Sequence, residues 1–301
     1  MINMRKTNYK SQIFLKKTEE LSKKYKKKVI IYLDILGIKD FTLNQNTSDN
    51  ELCEVYQILK NIADSFSKDD HLKKFLNFSE EEYSLKIATE DLDFSISILS
   101  DSIIISFSKN FLFLLPWVLR ITRFLQIILI FHGLLARGAV TCNKIYHTKN
   151  DTTMLFGKGL VEAYTLESKG DDPIMQIENK LWNQYKRMME KEGELESIFK
   201  KNCTTKGDLK FVEQVFFASS KTAFIEKKPE NKICYRHFYD LEHTLHQLSE
   251  NNFIRKSDSN YFLSIVDKNI EKFQNDKNIL GKWQVTKKLI EWELDISRNI
   301  L

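Results

Sequence analysis

Glycine and proline are scarce in this chain: 9 Gly and 3 Pro in 301 residues. Few sharp turns are available, so long regular elements joined by few loops are expected, and collagen-like or Pro/Gly-rich disordered chains are excluded. Cysteine is also rare. Cys53, Cys142, Cys203 and Cys234 lie far apart, with no CxxC pair. That spacing argues against a disulfide framework or a structural zinc site and favours a reducing cytoplasm. The start, Met1-Ile2-Asn3-Met4-Arg5-Lys6, lacks the apolar core of a signal peptide. No Ser-His-Asp, P-loop or GxGxxG pattern occurs. Charge of one sign is not in large excess: the net charge is +5, which suits anionic substrates without demanding nucleic acid.

What is present is apolar and regular. Hydrophobic residues make up 42% of the chain, enough for a globular core. The longest apolar stretch runs from Phe111 to Leu135. Pro116, Arg120, Arg123 and His132 interrupt it, and arginines near the centre of a span are costly in lipid. It is expected to be a buried helix rather than a membrane span, with a second subunit as a further packing partner.

Two other runs carry the chemistry. Val29 to Phe41 reads VIIYLDILGIKDF, and Ser95 to Phe107 reads SISILSDSIIISF. Each is a β-strand pattern interrupted by one aspartate. Asp34 ends an apolar strand just before Gly37 and an expected helix start. Asp101 sits in a two-residue turn between apolar runs. A carboxylate beside a hydrophobic sheet is costly unless a cation or hydrogen bonds compensate it. Alone, Asp34 reads as a helix cap. Paired, the two aspartates read as an oxygen-ligand site for Mg²⁺ or Mn²⁺.

The coarse pattern is β-α-β-β-α-β-α-β: strand 29–35, helix 49–67, hairpin 93–108, helix 111–133, strand 136–146, helix 157–168 and a strand near 174–178. It predicts an α+β fold with a split βαβ, ferredoxin-like core, an antiparallel-rich sheet and helices on one face. A basic N-terminal segment (1–28) precedes the core region (29–180). A mostly helical extension (181–301) follows, with helices expected at 180–200, 237–249, 260–275 and 278–296 and an apolar run at 211–217. His243 and His246 are spaced i, i+3, but with no third ligand they read as a solvated helix face.

The aspartate segments resemble the catalytic domain of class III nucleotidyl cyclases. There a first strand ends in Asp-Ile/Val-x-Gly-Phe and a hairpin carries a Gly-Asp turn. Here Asp34-Ile35-Leu36-Gly37 matches, Ile38 stands for the phenylalanine, and Ser100-Asp101 forms the turn. A third stretch follows in order: Leu135-Ala136-Arg137-Gly138-Ala139-Val140, then Leu155 to Ser168 (LFGKGLVEAYTLES), similar to the family's fourth strand and its next helix. The resemblance covers about residues 29–180.

It implies that a ribose 3′-hydroxyl attacks the α-phosphate of a nucleoside triphosphate, with two metal ions serving the displacement. Asp34, Asp101 and the Ile35 carbonyl would be metal ligands. Backbone N–H groups of Leu36, Gly37 and Ile38 through Phe41 would cradle phosphate. The family's ribose-positioning asparagine and transition-state arginine fall on Val161 and Thr165, which cannot do that work; Arg137 or Lys144 is the substitute cation. Arg137 reads equally well as a strand-end surface arginine. The base-reading places fall on Ser97 and Met154, so neither purine pair is present. That leaves room for the pyrimidine cyclases of bacterial Pycsar antiphage systems, which share this fold. Tyr32 and Phe94 are further pocket candidates. The implied partners are a nucleoside triphosphate and a second copy of the chain, a homodimer with helix 111–133 near its interface; neither nucleic acid nor membrane is expected. A catalytically inert homologue that binds nucleotide or a partner is the alternative. A palm-type polymerase is a weaker one, since its turn usually carries two acids and Ser100-Asp101 carries one.

Overall fold

The computed structural model describes residues 24–38, 42, 48–67, 92–147, 155–170, 172–190, 223–227, 232–236, 245 and 258–300. Elements are numbered among these residues. The strands are β1 (Lys26–Leu36), β2 (Ser95–Leu99), β3 (Ser102–Ser108), β4 (Leu135–Ile145), β5 (Met175–Ile177), β6 (Ala223–Lys227) and β7 (Lys232–Arg236). The helices are α1 (Asp49–Ser67), α2 (Leu115–Phe131), α3 (Lys158–Glu167), α4 (Asn179–Glu190), α5 (Ser259–Lys272) and α6 (Lys277–Ile300).

One seven-stranded mixed sheet runs in the order β2-β3-β1-β4-β5-β7-β6. The β4–β5 pair is parallel and the others are antiparallel. The order β2-β3-β1-β4, with α1 between β1 and β2 and α2 between β3 and β4, is compatible with the ferredoxin-like arrangement expected. β6 and β7 extend the sheet beyond β5, within the part read from sequence as mostly helical. The apolar run 211–217 and the helix expected at 237–249 lie outside the described residues, apart from Leu245.

β1 is central because it is apolar on both faces. Val29, Ile31, Leu33 and Ile35 enter the main core with Ile103, Ile105, Phe107 and Val140. Ile30 and Tyr32 enter a smaller cluster on the other face with Ile104, Ile145 and Ala163. Period-2 alternation sends successive side chains to opposite faces, so a strand buried on both sides needs such a continuous apolar run.

α1, α2, α4, α5 and α6 contribute to the main core. α3 packs on the opposite face, against β1 and β4. The expectation of helices on one face is therefore corrected. Small residues permit the approach: a Cβ on Gly159 would strike Ile30 Cδ1, and Thr141 Oγ1 donates to the Gly159 carbonyl at 3.1 Å. Gly138 meets the same demand within the sheet, where a Cβ would collide with the Tyr32 carbonyl and with Met175.

α2 starts with Pro116 in its first turn, where the missing N–H costs nothing. It stops where the N–H groups of Gly133 and Leu134 turn back onto the Ile130 and Leu129 carbonyls. Leu119, Leu125, Ile127 and Leu129 are completely buried. Each contributes roughly 1.5–3 kcal/mol by burial. Phe131 packs on Phe262 of α5, ring centroids 5.1 Å apart. These side chains serve the chain's own core.

Among the described residues no helix is long and apolar enough to cross a membrane. Cys53 is an exposed free thiol and Cys142 a buried one.

Candidate active site

Asp34 and Asp101 come together because the hairpin β2–β3 lies beside β1. The register sets Asp34 opposite Ser102, the residue after Asp101, and opposite Arg137 of β4. The Ile35 N–H donates to the Asp101 carbonyl at 2.8 Å, tying the turn to the end of β1. Asp34 lies two residues beyond Tyr32, so it shares the α3-bearing face.

The turn has a local peculiarity. Ser100 holds φ 55°, a left-handed conformation that ordinarily selects glycine. A serine therefore holds this turn at a conformational cost. Gly37, with φ 86°, ends the β1 run.

Burial is the main force raising the Asp34 carboxyl above the ordinary carboxylate range; the Asp101 charge adds to it, while Arg137 and Lys282 oppose it. The Asp101 charge thus reaches the Asp34 carboxyl. Tyr32 OH and Ser102 Oγ are 2.8 Å apart, and Ser102 Oγ donates to Asp101 Oδ1 at 3.4 Å. This short chain steadies the Asp101 carboxylate. Burial chiefly raises the Tyr32 phenol as well.

Arg137 is not the loose surface arginine that one reading allowed. Its Nε pairs with Glu167 Oε1, its Nη1 donates to the Gly170 carbonyl at 2.6 Å, and its Nε stands 3.9 Å from Asp34 Oδ2. It fastens the C-terminal end of α3 to β4. Glu167 is buried, and burial raises its carboxyl, opposed by Arg137 and reinforced by Asp34 and Asp101.

The remaining sequence candidates divide. Leu36, Gly37 and Ile38 stand directly after the acid, at the end of β1. Phe41 and Met154 lie outside the described residues. Ser97 is on the acid face, in the row of Ile104 and Tyr32, and its hydroxyl is held by His147 Nε2 at 2.9 Å. Lys144 is opposite Lys27, at the far end of β4, seven residues from Arg137 and so roughly 20 Å away. It is too remote to act as the substitute cation. Val161 and Thr165 face outward on α3: Val161 is 62% exposed, and Thr165 Oγ1 donates to the Val161 carbonyl.

Sequence reasoning gave no role to Glu167, Ser102 or Lys282. Glu167 ended a quoted motif and Ser102 adjoined the turn, so both were visible but not assigned. Lys282 carried no signal, because only the packing of α6 brings it near β1.

Among the described residues no three or more His, Cys, Asp and Glu side chains are grouped to hold a metal ion. The oxygen donors at the end of β1 are two carboxylates and main-chain carbonyls, a set suited to a hard divalent cation that keeps much of its water. Compared with protein-family models and with curated proteins, the chain matches none.

Proposed function

We propose that this chain is a nucleotidyl cyclase. It would convert a nucleoside triphosphate, with UTP or CTP favoured, to a 3′,5′-cyclic mononucleotide and pyrophosphate, as a signal in antiphage defence. The observation that carries the reading is the meeting of Asp34 and Asp101 at one end of the sheet, where the Ile35 N–H holds the Asp101 carbonyl. Burial and the Asp101 charge both disfavour the ionised Asp34, so the site has the character of a cation-binding site rather than a stabilising feature.

Asp34, Asp101 and the Ile35 carbonyl would hold Mg²⁺ or Mn²⁺, which supplies activation of the 3′-hydroxyl and charge neutralisation on the phosphates. The chain's other residues have separate tasks. Ser102 and Tyr32 orient Asp101. Arg137, held by Glu167, fixes α3 beside Asp34. Lys282 offers a cation toward the phosphates. In the reaction the 3′-oxygen bonds to the α-phosphorus, the bond to the β-phosphate oxygen breaks, and pyrophosphate departs with the electron pair while the hydroxyl proton passes to solvent.

Exposed apolar side chains on and around α3 support a homodimer joined through the acid face. Val161, Tyr164, Phe156 and Leu99 are 62%, 56%, 49% and 37% exposed. Tyr164 also packs edge-on against Tyr32.

One observation favours a second reading. Val161 and Thr165 occupy the places of the family's asparagine and arginine, and Arg137 is already engaged by Glu167 and Gly170. An inert homologue that binds nucleotide or a partner would keep the fold with this arrangement. Incubation with each of the four nucleoside triphosphates and Mn²⁺, with products resolved by mass, separates the two.

A further inference from the structure

A second polar cluster shares the acid face but lies toward the start of β1, and the chemistry above makes no use of it. His147 follows β4 and is 2% exposed. Its Nδ1 lies 2.9 Å from Ser106 Oγ, and its Nε2 lies 2.9 Å from Ser97 Oγ. Its carbonyl accepts from Lys28 Nζ at 2.9 Å and from Ser95 Oγ at 3.4 Å. Lys28 is itself buried, pairs with Asp93 Oδ1 at 2.8 Å and donates to the Asp93 carbonyl at 3.0 Å. Ser95 and Ser106 are buried; Ser97 is partly exposed.

A neutral imidazole has one N–H and one lone pair, so a ring between two hydroxyls donates to one and accepts from the other. Burial, aided by the Lys28 charge, holds His147 neutral, its pKa down at about 3. With the ring proton on Nε2, Ser106 donates to Nδ1 and Nε2–H donates to Ser97 Oγ. The Ser97 proton is left to point elsewhere, as a donor.

Ser97 is two strands and two residue rows from Asp34, roughly 12 Å by sheet spacing. That compares with the reach of a nucleotide from its phosphate to the far edge of its base. We infer that Ser97 donates a hydrogen bond to the 4-keto oxygen of the base, where cytosine carries an amino group, and that His147, with its proton on Nε2, is the positioning residue fixing this polarity, so that uracil is preferred. This rests on the nucleotide reading above.

Calorimetry with unreactive α,β-methylene analogues of UTP and CTP tests it, read together with the ¹⁵N spectrum of the His147 ring in the unmodified protein. The expected result is about tenfold tighter binding of the UTP analogue, the size of one well-made hydrogen bond. Ser97→Ala and His147→Phe should bring the ratio close to one, and the ring should carry its proton on Nε2 at pH 7 and still at pH 5. A proton on Nδ1, a cytosine preference, or an unchanged ratio in Ser97→Ala overturns the inference alone. Should His147→Phe fail to fold, Ser97→Ala and the ring spectrum decide. Binding of neither analogue overturns the nucleotide reading together with this one.

Discussion

Arg137 pairs its Nε with Glu167 while that same nitrogen stays 3.9 Å from Asp34. One guanidinium thus ties the end of α3 to β4 and partly offsets the charge of the candidate catalytic acid. Structure and chemistry meet at this residue, and several predictions start from it.

Glu167→Ala should destabilise the fold by about 2–3 kcal/mol. Removing one partner of a buried ion pair leaves the other uncompensated, and the cost is moderated because the Arg137 side chain stays 21% exposed. Urea denaturation, with the midpoint falling and the slope unchanged, measures it.

Asp34→Asn should do the reverse for stability while ending turnover. The folded state raises the Asp34 carboxyl, chiefly by burial and then by Asp101. The unfolded chain therefore gives up this proton at lower pH than the folded one. Stability from this group is greatest below its unfolded value and is lost as pH rises through the raised folded value. The variant should melt higher than the parent at pH 7, and the gap should close as pH falls toward 4. Thermal melts over pH 4–8 in a chelator-treated buffer would show this; a lower melting temperature at pH 7 would contradict it.

Ser100→Gly should stabilise the hairpin by about 1 kcal/mol, since a left-handed serine carries a steric cost that glycine lacks. Thermal unfolding tests this, and a loss of stability would show that the serine side chain compensates for its backbone.

The strands of this core were legible for a physical reason. β1 through β4 are apolar runs with few breaks, and their observed ends match the expected ones to within three residues. Asp34 and Asp101 stood out because each interrupts such a run. The placement of α3 on the opposite face was not legible: it depends on the absent side chain of Gly159, whose close approach to Ile30 exists only after packing. Arg137 was visible, but its engagement by Glu167 spans 30 residues and has no local pattern. His147 looked like one histidine among six, and its two serine partners come from strands 50 and 41 positions away.

Lys282→Ala should weaken triphosphate binding and leave the fold intact. Lys282 is partly exposed on α6 and is one of the two cations that lower the Asp34 carboxyl. Charge-assisted contacts to phosphate contribute about 1.5–3 kcal/mol, so KM should rise at least fivefold with kcat changed less. An unchanged KM would remove Lys282 from the site.

The central claim is that Asp34 and Asp101 together hold the cation of a triphosphate-cyclising site, and Asp101→Ala tests it most directly. Asp101 lies in a turn and contributes little packing, so the variant should fold. The parent and the variant would each be incubated with ATP, GTP, CTP and UTP in Mn²⁺, and the products resolved by mass. The account predicts a cyclic pyrimidine mononucleotide and pyrophosphate from the parent, and no turnover from a variant with unchanged circular dichroism. Parent-like turnover by the folded variant, or no cyclic product from any triphosphate with the parent, would contradict it.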